Sequence, residues 1–132
     1  MTALRDWYRD GLLRDVLPFW LAHGLDRECG GYLSSLDRQG RVFEDDKSIW
    51  VQGRFAWLLA TTYSELDQND AYLDAARLGI DFLRRHGADS DGKLFFTTTR
   101  DGRPLRRRRY YYSEAFAAQA NAAWSRAAKA SL

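Results

Sequence analysis

Cysteine is nearly missing from this chain. The single Cys29 has no partner for an internal disulfide, which excludes a disulfide-held fold and fits a reducing, cytoplasmic compartment. It lies among acidic and glycine residues with no cationic helix start beside it, so it reads as inert rather than nucleophilic. Proline is almost as scarce, at two of 132 residues, which leaves room for long helices. No stretch approaches the roughly 18 apolar residues of a membrane span. No apolar run follows a basic start, so no secretory leader is expected. Charge of one sign is lacking too: a net charge of +2 is too small to argue for nucleic acid. Aromatic residues are what the chain has in plenty, with five Trp, seven Tyr and seven Phe. Aromatic rings fill cores, and they are also the surfaces on which sugar rings stack.

Hydrophobic periodicity predicts four helices. Over residues 3–23, Leu4, Tyr8, Leu12, Leu13, Val16, Leu17 and Trp20 make one stripe, with Arg5, Asp6, Arg9, Asp10, Arg14 and Asp15 opposite. Pro18 is an awkward interior residue, expected to kink or shorten this helix. Residues 46–65 make a second helix, with Asp45 or Asp46 as its N-cap. Its apolar residues run nearly all round, so it should be buried on most sides. Arg54 nevertheless sits in its middle, and a buried charge needs a partner or a water-filled cavity. A third helix spans 70–86, capped by Asp70 and stopped by Gly87. The fourth, Ala-rich and apolar on most sides, runs from about Tyr110 to Ala130. Glycine-bounded extended runs at 30–40 and 91–102 read as small hairpins.

These elements repeat. Gly31 to Gly92 is 61 positions; Gly40 to Gly102, Trp50 to Tyr112 and Arg54 to Phe116 are each 62. Each unit is an amphipathic helix, a hairpin and then a helix apolar on most sides, about 3–65 and 70–130. A fixed period of helix pairs signals a solenoid or closed ring, with amphipathic helices outside and apolar ones inside. The chain is therefore expected to be all-α, one domain over 1–132, and part of an α/α barrel. Two units cannot close a ring; about six pairs of ~60 residues would need roughly 360. The chain is accordingly expected to be part of a longer domain, a truncated product, or a piece that assembles with other chains. Trp50 and Tyr112 occupy matching places near the inner-helix N-termini and would face one mouth. Core packing is the rival reading of both.

At this point the residues resemble a known family. Asp26-Arg27-Glu28-Cys29-Gly30-Gly31-Tyr32, Leu36-Asp37-Arg38-Gln39-Gly40 and Lys47-Ser48-Ile49-Trp50-Val51-Gln52-Gly53-Arg54 are similar to the opening of the N-acylglucosamine 2-epimerase family. Tyr72-Leu73, Phe82-Leu83 with His86, Asp91-Gly92, Asp101-Gly102-Arg103-Pro104 and Tyr112-Ser113-Glu114-Ala115-Phe116 continue the likeness across essentially the whole chain. The resemblance implies an (α/α)6 barrel that inverts or isomerises carbon 2 of a sugar by proton abstraction and return, the substrates being N-acylated hexosamines, cellobiose-type disaccharides, or free mannose and related aldoses. The expected ligand is a small sugar. No metal or organic redox cofactor is implied, though nucleotide activates some members. Arg54 matches the arginine that holds the sugar's reacting oxygens, and Trp50 and Tyr112 match pocket-lining aromatics. The acid and base are expected to be two histidines on later inner helices, absent from this chain. His23 and His86 fall at outer-helix ends and do not fill those roles. A homo-oligomer or a complementing C-terminal half is a possible partner arrangement.

Other features admit rival readings. The basic run Arg103-Pro104-Leu105-Arg106-Arg107-Arg108-Arg109 reads as a solvated loop, with a nucleotide or sugar-phosphate contact as the alternative. Asp46 and Glu114 are a minority candidate for the paired carboxylates of a barrel glycosidase. A non-catalytic remnant that only binds sugar is a further alternative.

Overall fold

A computed structural model describes residues 2–107 and 111–131. The first helical stretch is unbroken from residue 2 to 23 but changes character midway: α1 (Thr2–Gly11), a π-helical segment (Leu12–Val16) and α2 (Leu17–His23). Pro18 explains the change. It has no N–H to give, and its ring crowds the carbonyl four residues back. Widening the preceding turn to a π-bulge accommodates it without ending the helix.

After α2 the chain makes the antiparallel pair β1 (Ser35–Leu36) and β2 (Val42–Glu44). Asp37 shapes the connecting turn, its Oδ1 accepting from the N–H groups of Gln39 and Arg41, both at 2.9 Å. Gly40, at φ +82°, supplies the left-handed residue this turn requires. The packing adds a second reason for glycine there: a Cβ would collide with the His23 ring.

Next come β3 (Lys47–Ser48) and α3 (Ile49–Glu65). The N-cap is Ser48, without a side-chain capping bond, and not Asp45 or Asp46, which stand exposed before it. Tertiary pairing overrides the local capping signal: β3 is drawn into a sheet with the second hairpin, and Ile49 N–H donates to the Phe96 carbonyl at 3.0 Å.

α4 (Asp70–His86) is capped by Asn69, whose side chain accepts from Ala71 N–H; Asp70, the expected cap, is the first helical residue instead. Gly87 ends the helix by donating its N–H to the Leu83 carbonyl at 2.8 Å. β4 (Thr97–Thr98) and β5 (Pro104–Arg106) follow, giving a three-stranded sheet in the order β3-β4-β5. α5 (Tyr111–Ala130) completes the described chain. Arg108 and Arg109 of the basic run, and Tyr110, lie outside the described residues.

α3 is the centre of the packing and lies against both α4 and α5. Small residues set its approach to α5: a Cβ at Gly53 would stand 2.8 Å from the Phe116 carbonyl carbon. One core cluster joins Leu17, Tyr32, Ala56, Leu59, Ala60, Tyr63, Ala76, Ile80 and Ala120, with α2 contributing from the far side. The sequence is mainly helical as expected, and its few strands are confined to the two hairpins and the residues before α3. Among the described residues no helix is long and apolar enough to cross a membrane.

Candidate functional site

Arg54 projects from the one open flank of an otherwise buried helix. Its neighbours Gln52, Gly53 and Ala56 are buried while Arg54 is exposed. Two aromatic rings hold it. The guanidinium carbon lies 5.4 Å from the Trp50 ring centroid and 5.2 Å from that of Phe116. The rings themselves are 6.0 Å apart. Cation–π contact of this kind fixes the planar head without neutralising it. No carboxylate among the described residues pairs with Arg54, so its donors remain available. The charge that seemed misplaced in an apolar helix thus faces a cleft.

That cleft has a volume of about 340 Å³, and its walls include Trp20, Leu33, Ser34, Trp50, Arg54 and Trp57. Its lining is aromatic and aliphatic with few polar groups, the usual character of a small-molecule site. Trp50 and Arg54 are therefore brought together. Tyr112 is not among the residues lining this cleft. It stands 66% exposed in the first turn of α5, and the α5 ring that meets Trp50 is Phe116, one turn further on. The 62-residue offset paired Arg54 with Phe116, and this was the available signal for Phe116, although alignment of two repeats does not say which residues touch.

Just before the start of α3 lies a buried ionic cluster that the sequence did not single out. Lys47 is fully buried. Its Nζ donates to Asp26 Oδ2 at 2.7 Å, to the Gly30 carbonyl at 2.6 Å and to the Arg100 carbonyl at 2.8 Å, so all three protons are used. The Phe82 ring lies 4.5 Å from the same nitrogen. Asp26 also receives Arg100 in a bidentate pair, at 2.9 and 3.0 Å, and the backbone N–H groups of Glu28 and Cys29. Burial alone pushes the Asp26 carboxyl up. Hydrogen bonds from Arg100, Lys47 and Cys29 outweigh it and hold the group well below the usual carboxylate range. The cluster ties the loop after α2, the strand that starts α3 and the turn of the second hairpin into one unit, which fixes where α3 begins and hence where Trp50 and Arg54 point.

Gln52 works beside it. Its amide accepts from Tyr32 N–H at 2.7 Å and donates to the Tyr32 carbonyl at 2.9 Å. Tyr32 is buried with its hydroxyl donating to the Ala75 carbonyl at 2.7 Å, and burial raises its phenol far above the ordinary value. Its ring occupies the space a side chain at Gly79 would need.

The histidines sit at the ends of α2 and α4, as expected. Each ring packs under a left-handed glycine, His23 beneath Gly40 and His86 beneath Gly102, and each leans on a phenylalanine 5.0 Å away, Phe19 or Phe82. Glu114 Oε1 accepts from Leu94 N–H at 3.1 Å, bracing the second hairpin, while Asp46 is exposed. Of the basic run, Arg107 pairs with Asp89 at 3.2 Å and Arg103 with Asp101 at 3.2 Å. Among the described residues no group of three or more histidine, cysteine or carboxylate side chains is placed to hold a metal ion.

The family model of N-acylglucosamine 2-epimerase matches residues 31–131, most of the chain. The chain belongs to the N-acylglucosamine 2-epimerase family. Human N-acylglucosamine 2-epimerase is 40% identical over 105 residues, covering 76% of this chain and 25% of that protein. Cellobiose 2-epimerase of Eubacterium cellulosolvens is 30% identical over 115 residues, covering 86% and 28%. The structure of cellobiose 2-epimerase from Bacillus thermoamylovorans superposes with a TM-score of 0.86 at 27% identity, covering 96% of this chain and 32% of that one. The chain thus spans about a quarter of the curated epimerases it matches and about a third of the solved one. Arg54, Trp50, Gln52 and Phe116 all lie inside the matched region, whereas Asp26 lies before it.

Proposed function

We propose that this chain forms one wall of a carbohydrate 2-epimerase site, with Arg54 as the group that binds and polarises the sugar's reacting oxygens and Trp50 as the aromatic wall beside it. The observation that carries this reading is the Arg54 guanidinium, without a carboxylate partner among the described residues, clamped between Trp50 and Phe116 at the edge of an apolar cleft. The two helix pairs are read as two of the six pairs of an (α/α)6 barrel, with Tyr112 on the rim. The unpaired Cys29 fits a cytoplasmic setting.

The chemistry follows from the arrangement. Taking the proton from carbon 2 of an open-chain aldose sends the C–H electron pair towards the neighbouring carbonyl, whose oxygen becomes an enediolate. A guanidinium already fixed there meets that charge without reorganising, an effect typically worth ~10²–10³ in turnover for one donor. Arginine does not lose its proton near neutrality, so it cannot be the base. The acid and base are assigned to residues outside this chain, the family's two histidines. A general base must reach the proton it takes, and His23 and His86 are committed to the two hairpin turns.

Titration of the chain with glucose, cellobiose or N-acetylmannosamine, followed by two-dimensional NMR, is expected to shift the Trp50 indole and the Arg54 Nε resonances. Arg54→Leu should abolish those shifts; sugar-induced shifts confined to other regions would reject the site. In deuterated water the sugar should keep its carbon-2 proton, and exchange catalysed by the chain would overturn the assignment of acid and base outside it.

A further inference from the structure

The backbone at Tyr32 is held on both edges, and a side chain supplies the second edge. Tyr32 forms an isolated antiparallel bridge with Leu25. The bridge is closed by Asp26 N–H donating to the Gly31 carbonyl at 3.0 Å and by Leu33 N–H donating to the Gly24 carbonyl at 2.8 Å. Bonds in that pattern leave the N–H and C=O of Tyr32 itself turned outward, where a third strand would take them. Gln52, fully buried, occupies that place. Its amide meets both groups, accepting at 2.7 Å and donating at 2.9 Å. A carboxamide carries the donor and the acceptor of a peptide edge, which neither a carboxylate nor a hydrocarbon of the same length does. The fit has no slack, since a Cβ at Gly31 would stand 2.5 Å from the Gln52 oxygen.

This clamp joins the two walls of the Arg54 cleft. One wall is α3, where Trp50 and Arg54 lie two positions either side of Gln52. Two positions turn a helix by about 200°, so the amide grips from the side away from the cleft. The other wall is the segment Tyr32, Leu33 and Ser34. Gln52 does not line the cleft, yet its two hydrogen bonds set how far the Arg54 wall stands from the 32–34 wall. Resting on the reading of that cleft as a sugar site, we infer that Gln52 is a positioning residue: it fixes the width of the cleft, and so the affinity for the sugar, without touching the sugar.

Gln52→Glu and Gln52→Met keep the length of the side chain and change its hydrogen-bonding edge. The introduced carboxylate accepts from the Tyr32 N–H but turns a lone pair on the Tyr32 carbonyl. Once protonated, the same carboxyl has the donor and acceptor of the original amide. Burial and the facing carbonyl raise its titration above the ordinary ~4.3 of glutamate. Wild type and both variants are titrated with glucose, cellobiose and N-acetylmannosamine at about pH 8 and about pH 5, with the Trp50 indole of the folded molecules followed by NMR. At pH 8 the glutamate variant should bind about tenfold more weakly than wild type, the scale of one or two lost hydrogen bonds. At pH 5 the neutral carboxyl should restore it to within about twofold of wild type. The methionine variant should stay about tenfold weak at both, and it decides the outcome at pH 8 if the glutamate variant does not fold there. Asp26, held low by Arg100 and Lys47, titrates below this window; the buried Tyr32 phenol and Arg100, bonded to Asp26, titrate above it. Glu28, Cys29, Lys47 and His86, the other ionisable groups around the segment, are common to all three proteins, so wild type and Gln52→Met give the baseline. If folded molecules of either variant bind as wild type does at pH 8, or if pH 5 fails to restore the glutamate variant, Gln52 does not set the cleft. If no sugar moves the wild-type Trp50 signal, the Arg54 reading fails and the role of Gln52 with it.

Discussion

Asp26 and Lys47 place opposite charges 2.7 Å apart with neither side chain exposed. Such a pair adds little net stability when intact, because desolvation offsets the attraction. Removing one partner is different: Asp26→Asn strands a buried ammonium, and breaking a buried pair costs about 3–5 kcal/mol. A domain of this size has only ~5–15 kcal/mol in total, so the variant should unfold at much lower urea. Combining Asp26→Asn with Lys47→Met should recover part of the loss. The pH dependence has a definite sign. Asp26 titrates lower in the folded chain than in the unfolded one, where ~3.9 applies. Its contribution is therefore complete above about pH 4 and fades as the pH falls through the folded value. Urea midpoints followed by tryptophan fluorescence should show a wide gap between wild type and Asp26→Asn at pH 7 that narrows below about pH 4. A gap that stayed constant to pH 3 would mean that Asp26 is not held low by Arg100 and Lys47.

Among the elements, α3 and α5 meet closely because of one residue. A β-branched side chain at Gly53 has no room beside the Phe116 and Ala117 backbone. Gly53→Val should cost roughly 1–3 kcal/mol through overpacking, despite valine's better helix propensity. Gly11 is the control. It is helical at φ −60° and ψ −43°, and a Cβ there meets nothing within 4 Å. Gly11→Ala should stabilise by about 0.5–1 kcal/mol. Equal thermal midpoints for Gly53→Val and wild type would show that the helices do not approach as described. This contrast also marks how far the sequence could be read. The helices, their order and the 62-residue repeat were legible, because apolar periodicity survives any tertiary context. So was Arg54, a charge inside an apolar pattern. The start of α3 was not, since its cap choice yields to strand pairing 49 residues away, between Ser48 and Thr97. The Asp26–Lys47–Arg100 cluster was hidden for the same reason. Three charged residues spread over 74 positions carry no periodic signal, and lysine is among the last residues expected at zero exposure.

For the molecule as a whole, the uneven feature is the flank made by α1. No residue of α1 is buried, yet its stripe is strongly apolar: Leu4, Trp7 and Tyr8 are 62%, 68% and 65% exposed. The opposite face carries Arg5, Asp6, Arg9 and Asp10 in surface ion pairs, which contribute little by themselves. A helix of this amphipathicity normally buries its stripe, and large rings remove roughly 150–250 Å² each when they do. At ~25 cal/mol per Å², covering Trp7 and Tyr8 would be worth several kcal/mol, comparable with the whole stability of a small domain. In the proposed barrel this flank is where a neighbouring helix pair would pack. With the stripe in water, the 132-residue chain on its own is expected to associate through it. Sedimentation velocity should then show an average mass that climbs with protein concentration. The double variant Leu4→Glu with Trp7→Glu should sediment as a monomer while keeping its sugar-induced Trp50 shift, because α1 does not line the Arg54 cleft. A wild-type chain that stayed monomeric at high concentration and melted sharply and reversibly would show that α1 needs no cover, and would remove the structural reason for placing another helix pair beside it.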